Sequence, residues 1–355
     1  MNMSHRSYPT EDDAILRASG LGRRFFRRKG LLHVAPFDAV HSMDLVVRRK
    51  DFVAVIGESG CGKTTLSRML IGMLAASDGK VQVRIAGEWR DVASLSPPEE
   101  AVFRRNVQMV YQESDLALDP MSPVIESVLE GYRVNWPGVS RLAARRLAAR
   151  LLHELGLEAR EWRSLPSSMS GGERKRAVVA RAFAALGYGI PAPPDPLPGK
   201  LLIADEPTAG LDCATQARLL QFFLDRQDEQ RKDGMNLAYV LISHDLALVR
   251  GFSRSVVVMF GGRAVERGAT KVLWPDAEPK GRFMHPYSQE LMGVLTSTVE
   301  QPALPDEPGE GCIFRAECPH RDEKGRCAAD HPWEGSPDHQ WACWKAEQVP
   351  SVESD

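Results

Sequence analysis

Residues 57–64 read Gly57-Glu58-Ser59-Gly60-Cys61-Gly62-Lys63-Thr64, a match to G-x-x-x-x-G-K-[ST]. The flanks supply the context this pattern needs. Phe52 to Ile56 is an apolar run of strand length, and from Lys63 to Leu74 the residues Leu66, Met69, Leu70 and Met73 recur at helical spacing. Strand, glycine loop and helix, in that order, let backbone N–H groups turn inward around phosphate oxygens while the helix N-terminus adds positive potential. In such a cradle, here Gly57 to Thr65, Lys63 reaches the β- and γ-phosphates and the Thr64 hydroxyl ligates magnesium. Cys61 sits at a variable position and is expected to have no role of its own.

Working outward, Leu201–Ala204 and Tyr239–Ile242 are short, wholly apolar runs, as expected of buried strands in a parallel sheet covered on both faces. The first ends in Asp205 and Glu206. There one carboxylate can hold magnesium and the next can orient an attacking water, so together with the glycine loop they imply hydrolysis and not binding alone. Ser170-Gly171-Gly172-Glu173 precedes an expected helix over Arg174–Leu186 with Val178, Val179 and Phe183 apolar. A serine cap followed by two glycines presents amides to an anion; by itself it is an ordinary helix start. Further strands are expected at Val81–Ile85 and Val107–Tyr111. Helices are expected at Arg141–Leu155, capped by Ser140 with Leu147, Leu151 and Leu155 on one face, and at Arg218–Arg231. Ser255–Phe260, Gly261-Gly262 and Arg263–Glu266 form a hairpin signal. The fold class is α/β.

The 355 residues carry 45 basic against 47 acidic side chains, a formal charge of −2, with 26% charged and 43% apolar. This profile excludes disorder throughout, and without concentrated positive charge it argues against nucleic acid as the main partner. The cluster Arg23, Arg24, Arg27, Arg28 and Lys29 is read as a solvated loop. No apolar run approaches the length of a membrane span, and Met1–Asp13 lacks the apolar core of a secretory signal, so a cytoplasmic location is expected. Gly187–Gly199 holds five prolines and is expected as an exposed loop. Beyond Pro275 the composition shifts toward Pro, Gly, Glu and Cys. This suggests a flexible segment over 1–14, a catalytic domain over 15–270 and a small appendage over 271–355. The appendage carries Cys312, Cys318, Cys327 and Cys343 without any C-x2-C pair. Four thiolates suffice for a tetrahedral zinc or a four-iron cluster, or they fill a small fold without metal. His320, His331 and His339 are expected to be solvated, with one of them open to substitute as a zinc ligand.

Taken together, the chain resembles the ATP-binding subunits of ABC transporters. The matching elements are the loop at 57–64, a Q-loop glutamine at Gln112, the signature Met169-Ser170-Gly171-Gly172-Glu173, Asp205-Glu206, a D-loop Ala209-Gly210-Leu211-Asp212 and a switch histidine at His244. The resemblance implies an ABC-type ATPase domain, a mixed-sheet core with a helical signature subdomain. It implies ATP with Mg2+ held through Thr64, Gln112 and Asp205. Glu206 is then the catalytic carboxylate, Lys63 and His244 act at the γ-phosphate, and Gln112 links the nucleotide to a membrane partner. It further implies a head-to-tail dimer with an identical or paralogous ATPase subunit, in which Ser170 to Glu173 close on the partner's ATP. Phe25 is the candidate adenine-stacking residue; Phe26 competes, and either could be core.

Within the family the likeness is to the dipeptide/oligopeptide and nickel importers, through Gly57–Lys63, the stretch Val110–Pro120, and His285-Pro286-Tyr287-Ser288 with the cysteine tail behind it. That likeness implies a subunit peripheral to the cytoplasmic face of the membrane. It would work with transmembrane permease subunits and, indirectly, an extracytoplasmic solute-binding protein, with a [4Fe–4S] cluster or Zn2+ at Cys312, Cys318, Cys327 and Cys343. Met169 and Glu173 stand where the family usually has Leu and Gln, Ala209-Gly210 where the subgroup usually has Ser-Ala, and the proline loop is extra. None of these removes a catalytic group. The alternative is a soluble ABC-type ATPase with a regulatory metal or redox tail, not a transporter.

Overall fold

The structure, a computed structural model, describes residues 13–29, 33–112, 117–191, 196–227, 237–275, 282–293, 311–316, 318–320, 327 and 332–343. The first twelve residues, part of the 110–120 stretch, Pro193 and Pro194, the end of the helix expected to reach Arg231, and His331 lie outside them.

The elements begin with β1 (Ala14–Lys29), β2 (His33–Arg48), β3 (Phe52–Ile56), α1 (Lys63–Leu70), β4 (Asp78–Ile85), β5 (Glu88–Asp91) and α2 (Pro97–Asn106). Next come β6 (Val107–Val110), α3 (Val124–Asn135), α4 (Arg141–Glu154), α5 (Ala159–Trp162), α6 (Gly171–Ala185), β7 (Lys200–Asp205), α7 (Cys213–Gln227) and β8 (Leu237–Ile242). The chain continues through α8 (Leu246–Phe252), β9 (Ser255–Phe260), β10 (Arg263–Ala269), α9 (Thr270–Leu273), α10 (Pro286–Leu291), β11 (Glu334–Ser336) and β12 (His339–Trp341). It divides into two compact units, one gathering Met1–Arg17, Val46–Asp51 and Val81–Val240, the other Ala18–Leu45, Phe52–Lys80 and Leu241–Asp355.

In the first unit β6 and β7 run parallel, Val107 opposite Leu201 and Val110 opposite Ala204, and every residue of β7 is buried. The α3–α6 pairing is close enough that a Cβ on Gly131 would meet the Arg181 carbonyl at 2.9 Å. Trp136 and Tyr132 close the far end of this helical layer, donating to Ala185 O at 2.9 Å and Tyr188 O at 3.0 Å. The α7 helix starts at Cys213 and not near Arg218. Asp212 sets that start by accepting from the Thr215 amide at 3.0 Å and hydroxyl at 2.7 Å. Phe183, Phe222, Phe223 and Tyr239 stack along the inside.

The proline-rich segment is less exposed than its composition suggests. Tyr188 is fully buried with its hydroxyl on Glu154 at 2.6 Å, Leu197 is buried, and Pro196 O accepts from the Ala86 amide at 2.7 Å. Prolines exclude regular hydrogen bonding but not burial of the apolar residues between them.

In the second unit the strand order β11-β12-β10-β9-β3 mixes directions. Parallel pairing joins β3 to β9, from Val53–Ser255 to Ile56–Val258, while β9 and β10 form the expected hairpin. Its turn uses Gly261 and Gly262 at φ 51° and 82°, conformations open to glycine without strain. The α1 helix stops at Leu70, since Gly72 turns left-handed at φ 69°, and Met73 is left 59% exposed. The basic cluster at 23–29 lies on β1 and not in a loop. Three of its charges are met locally: Arg24 pairs with Asp38 at 2.7 Å, and the Arg23 and Arg27 guanidinium groups lie over the Phe25 and Phe37 rings. The unit's core combines Val256, Val258 and Phe260 of β9 with Trp274, Phe283, Tyr287 and Phe314.

Candidate nucleotide-binding site

From β3 the chain enters the glycine loop with no room for side chains. An added Cβ on Gly57, at φ 150°, would lie 2.2 Å from Met259 O; on Gly62, at φ 103°, it would lie 2.1 Å from Ala39 O. Only glycine fits between those two backbones. Gly262 donates to Cys61 O at 2.9 Å, so the β9–β10 turn braces the loop from behind. Lys63 is buried and folds back over the loop, its Nζ donating to Gly57 O at 2.8 Å and Glu58 O at 2.6 Å. Gly62 offers no side-chain cap to α1, whose first amides are therefore aimed into the loop. Thr64 and Thr65 follow, half-buried.

Cys61 packs under the loop with Sγ 3.6 Å from the Lys63 ammonium, and burial pushes its thiol pKa up. It fills space beneath the cradle. On the loop's outer edge the Glu58 amide donates to the Tyr287 hydroxyl at 3.0 Å, a contact across 229 residues of sequence. The same unit places His244, exposed, just past β8, where Ser243 donates to Val55 O at 3.3 Å and Asp245 caps α8 through the Leu248 amide at 3.1 Å. Of the two aromatic candidates, Phe25 is half-buried under Arg23 and Phe26 is 72% exposed.

The other unit holds the remaining expected residues. Parallel β6 and β7 release Gln112 and the Asp205-Glu206 pair from the same, carboxyl end of the sheet. Asp205 is buried, and Glu206 adopts the left-handed φ of 48°, a strained choice for a residue with a Cβ. The loop beyond is tied down by a residue the motifs did not single out. Lys175 of α6, itself buried, donates to Glu206 O at 3.0 Å and Ala209 O at 2.8 Å. Burial lowers its ammonium pKa, against the pull of Glu206 and Asp205. A lysine falling on the same helical stripe as Val178, Val179 and Ala182 was the available signal. Ser170 and Glu173 form a reciprocal capping box at the start of α6, the Glu173 amide donating to Ser170 Oγ at 3.2 Å and the Ser170 amide to the Glu173 carboxylate at 2.8 Å.

In the tail, Cys312, Cys318, Cys327 and Cys343 line one small cavity with His285 and His320. None of the six cysteines is in a disulfide. Burial raises the Cys312 thiol pKa and pushes that of Cys318 up to about 12. Among the described residues no three His, Cys, Asp or Glu side chains form a group that could hold a metal ion. Of two histidines expected in solvent, His339 is buried and His320 half-buried. His320 has its Nε2 buried without a hydrogen-bond partner among the described residues. His339 is buried with Nε2 2.6 Å from Glu266 Oε1. Glu266, with no exposure at all, also accepts from the Met284 amide at 2.8 Å and the His285 amide at 3.1 Å.

Residues 40–209 match the ABC transporter family model. The chain is 32% identical over 349 residues to the di/tripeptide transport ATP-binding protein DppF of Pseudomonas aeruginosa, covering 95% of this chain and 99% of the relative. It is 31% identical over 325 residues to the oligopeptide transport ATP-binding protein OppF of Escherichia coli, covering 88% and 89%. Among solved structures, the ATP-binding cassette MJ0796 bound to ADP and phosphate superposes with a TM-score of 0.59 at 23% identity, over 72% of this chain and all but 1% of that one. The cbiO1 cassette of Clostridium perfringens gives 0.57 at 23%, over 76% and 93%. These two likenesses bear on the fold.

Proposed function

The chain belongs to the ABC transporter family and is an ATPase, and from that premise we propose that it couples Mg-ATP hydrolysis to uptake of di- or oligopeptides, or a related small solute, through separate membrane subunits. The observation that carries this reading is similarity along nearly the whole length, tail included, to a di/tripeptide transport ATP-binding protein. Those relatives give no support to a soluble ATPase with a regulatory tail. Among the described residues no helix is long and apolar enough to cross a membrane, in keeping with a peripheral subunit at the cytoplasmic face.

In this reading residues 15–270 are the ATPase domain and 271–355 the subgroup's tail. Lys63 exchanges the Gly57 and Glu58 carbonyls for β- and γ-phosphate oxygens. The amides from Gly60 to Thr65 take the rest of the phosphate charge. Thr64, Gln112 and Asp205 hold Mg2+, which neutralises phosphate charge when bound. Glu206 orients and polarises the attacking water, His244 meets the γ-phosphate, and Phe25 stacks on adenine. Such chemistry asks for positioning and electrostatics, which these fixed dipoles and charges supply. A second ATPase subunit, identical or paralogous, closes head to tail so that Ser170 to Glu173 cover the partner's nucleotide.

We further propose a metal centre at the cysteine cavity, on the ground that four thiols line it. Four thiols are enough for a four-iron cluster or for a tetrahedral zinc, and the cluster is the reading put to the test. Iron and sulfide on anaerobically purified protein measure this directly: about four of each per chain supports the cluster, and their absence overturns it. For the transport reading the decisive experiment is uptake of a labelled tripeptide by cells carrying Glu206→Gln. Uptake should be abolished; unchanged peptide uptake with loss of another solute would reassign the cargo.

A further inference from the structure

The Gly57–Glu58 peptide is held at both ends. Its carbonyl accepts from Lys63 Nζ at 2.8 Å and its N–H donates to Tyr287 Oη at 3.0 Å. When Lys63 turns to phosphate, the first hold is released and the tyrosine's stays. This peptide sets the direction in which the loop leaves β3, and Gly57, free of a Cβ, has the freedom to rotate it away. We propose that Tyr287 is a positioning residue for the nucleotide loop: its hydroxyl keeps the Gly57–Glu58 peptide in the phosphate-ready orientation after Lys63 has left. The inference rests on the nucleotide-site reading above.

Tyr287 is suited to the task because it cannot move. It is fully buried, with Phe260 at a ring-centroid distance of 4.5 Å and Phe314 at 5.6 Å. Its own amide donates to His285 Nδ1 at 3.2 Å, and the His285 and Met284 amides are fixed on the carboxylate of Glu266. Phe314 also lines the cysteine cavity. The hydroxyl is therefore delivered to the loop by a rigid chain of contacts: Glu266, the start of α10, and a three-ring cluster. A merely space-filling role would require the ring and not its oxygen.

Tyr287→Phe removes only that oxygen. A loop that spends part of its time in other orientations binds nucleotide more weakly in proportion. For the loss of one ordinary hydrogen bond the full-length variant should bind Mg-ATP about fivefold more weakly. KM should rise by the same factor while kcat changes by less than about twofold, the signature of lost ground-state and transition-state binding alike. Exchange of the Glu58 amide should quicken, and the melting temperature should stay within a few degrees of the parent. Phe314→Leu loosens the ring cluster but keeps the hydroxyl, and should lower the melting temperature with affinity retained. Unchanged nucleotide affinity in Tyr287→Phe, or an equal loss in Phe314→Leu, would overturn the proposal. Failure of the parent chain to bind Mg-ATP would instead refute the nucleotide site itself.

Discussion

The glycine loop and the cysteine tail belong to the same compact unit yet carry their information in opposite ways. In the loop, eight consecutive residues state the chemistry: three glycines, a lysine and a threonine need only a strand before and a helix after. In the tail the decisive contacts join distant positions. Glu266 meets His339 across 73 positions, Tyr287 meets Glu58 across 229, and the four cysteines reach one cavity from four separate points of the chain. Contiguous chemistry is legible from a pattern, whereas assembled chemistry is visible only once the chain has folded.

The comparison can be broken at its strongest point first. Glu206→Gln should bind Mg-ATP but lower turnover by about 10²-fold or more, read in a phosphate-release assay; parental turnover would remove Glu206 from the chemistry. Next, Gly57→Ala forces a Cβ to 2.2 Å from the Met259 carbonyl, and nucleotide affinity should fall by at least tenfold. An unchanged affinity would show that the loop is softer than its packing indicates.

On the tail side, Glu266→Ala strands two amides and a histidine in a buried place, which should cost about 3 kcal/mol. The effect should appear as a drop of several degrees in melting temperature. A drop of under one degree would mean that water enters in place of the carboxylate. Lys175→Met, which frees the Glu206 and Ala209 carbonyls, should lower kcat by about tenfold with KM little changed.

The smallest effect concerns pH. Asp212 has its carboxyl held below the usual range, first by the Thr215 hydroxyl and then by its amide. Stability from a lowered carboxyl is present above the unfolded value near 4 and is lost as pH falls through the folded one. Melting curves of parent and Asp212→Ala should thus differ slightly at neutral pH and converge below about pH 4. A gap that persists at low pH would assign the effect to something other than the carboxylate.

Much of the fold was readable for the same reason as the loop. The apolar runs that became β3, β7, β8 and β9, the double glycine of the hairpin, and the Ser140 and Ser170 caps are all short-range signals. The long strands β1 and β2 escaped; in β1 arginines mask the alternation, and Asp38 and the aromatic rings meet three of them on the strand. The early start of α7 depended on an aspartate whose D-loop motif drew attention away from its capping role. Lys175 was hidden in a helix where lysine is common. Tyr287 could be noticed as part of a motif, but nothing in the sequence pointed to its partner.

The capping box at Ser170 carries one more consequence. Its hydroxyl oxygen already accepts from the Glu173 amide, which leaves its proton and its second lone pair to offer. The capping box holds that hydroxyl at the helix start, and the amide dipoles of α6 stand behind it. In the proposed dimer a hydroxyl so placed would offer its proton to a phosphate oxygen of the partner's nucleotide. The price is the carboxylate of Glu173, which stands at the same helix start and repels the very charge the hydroxyl invites.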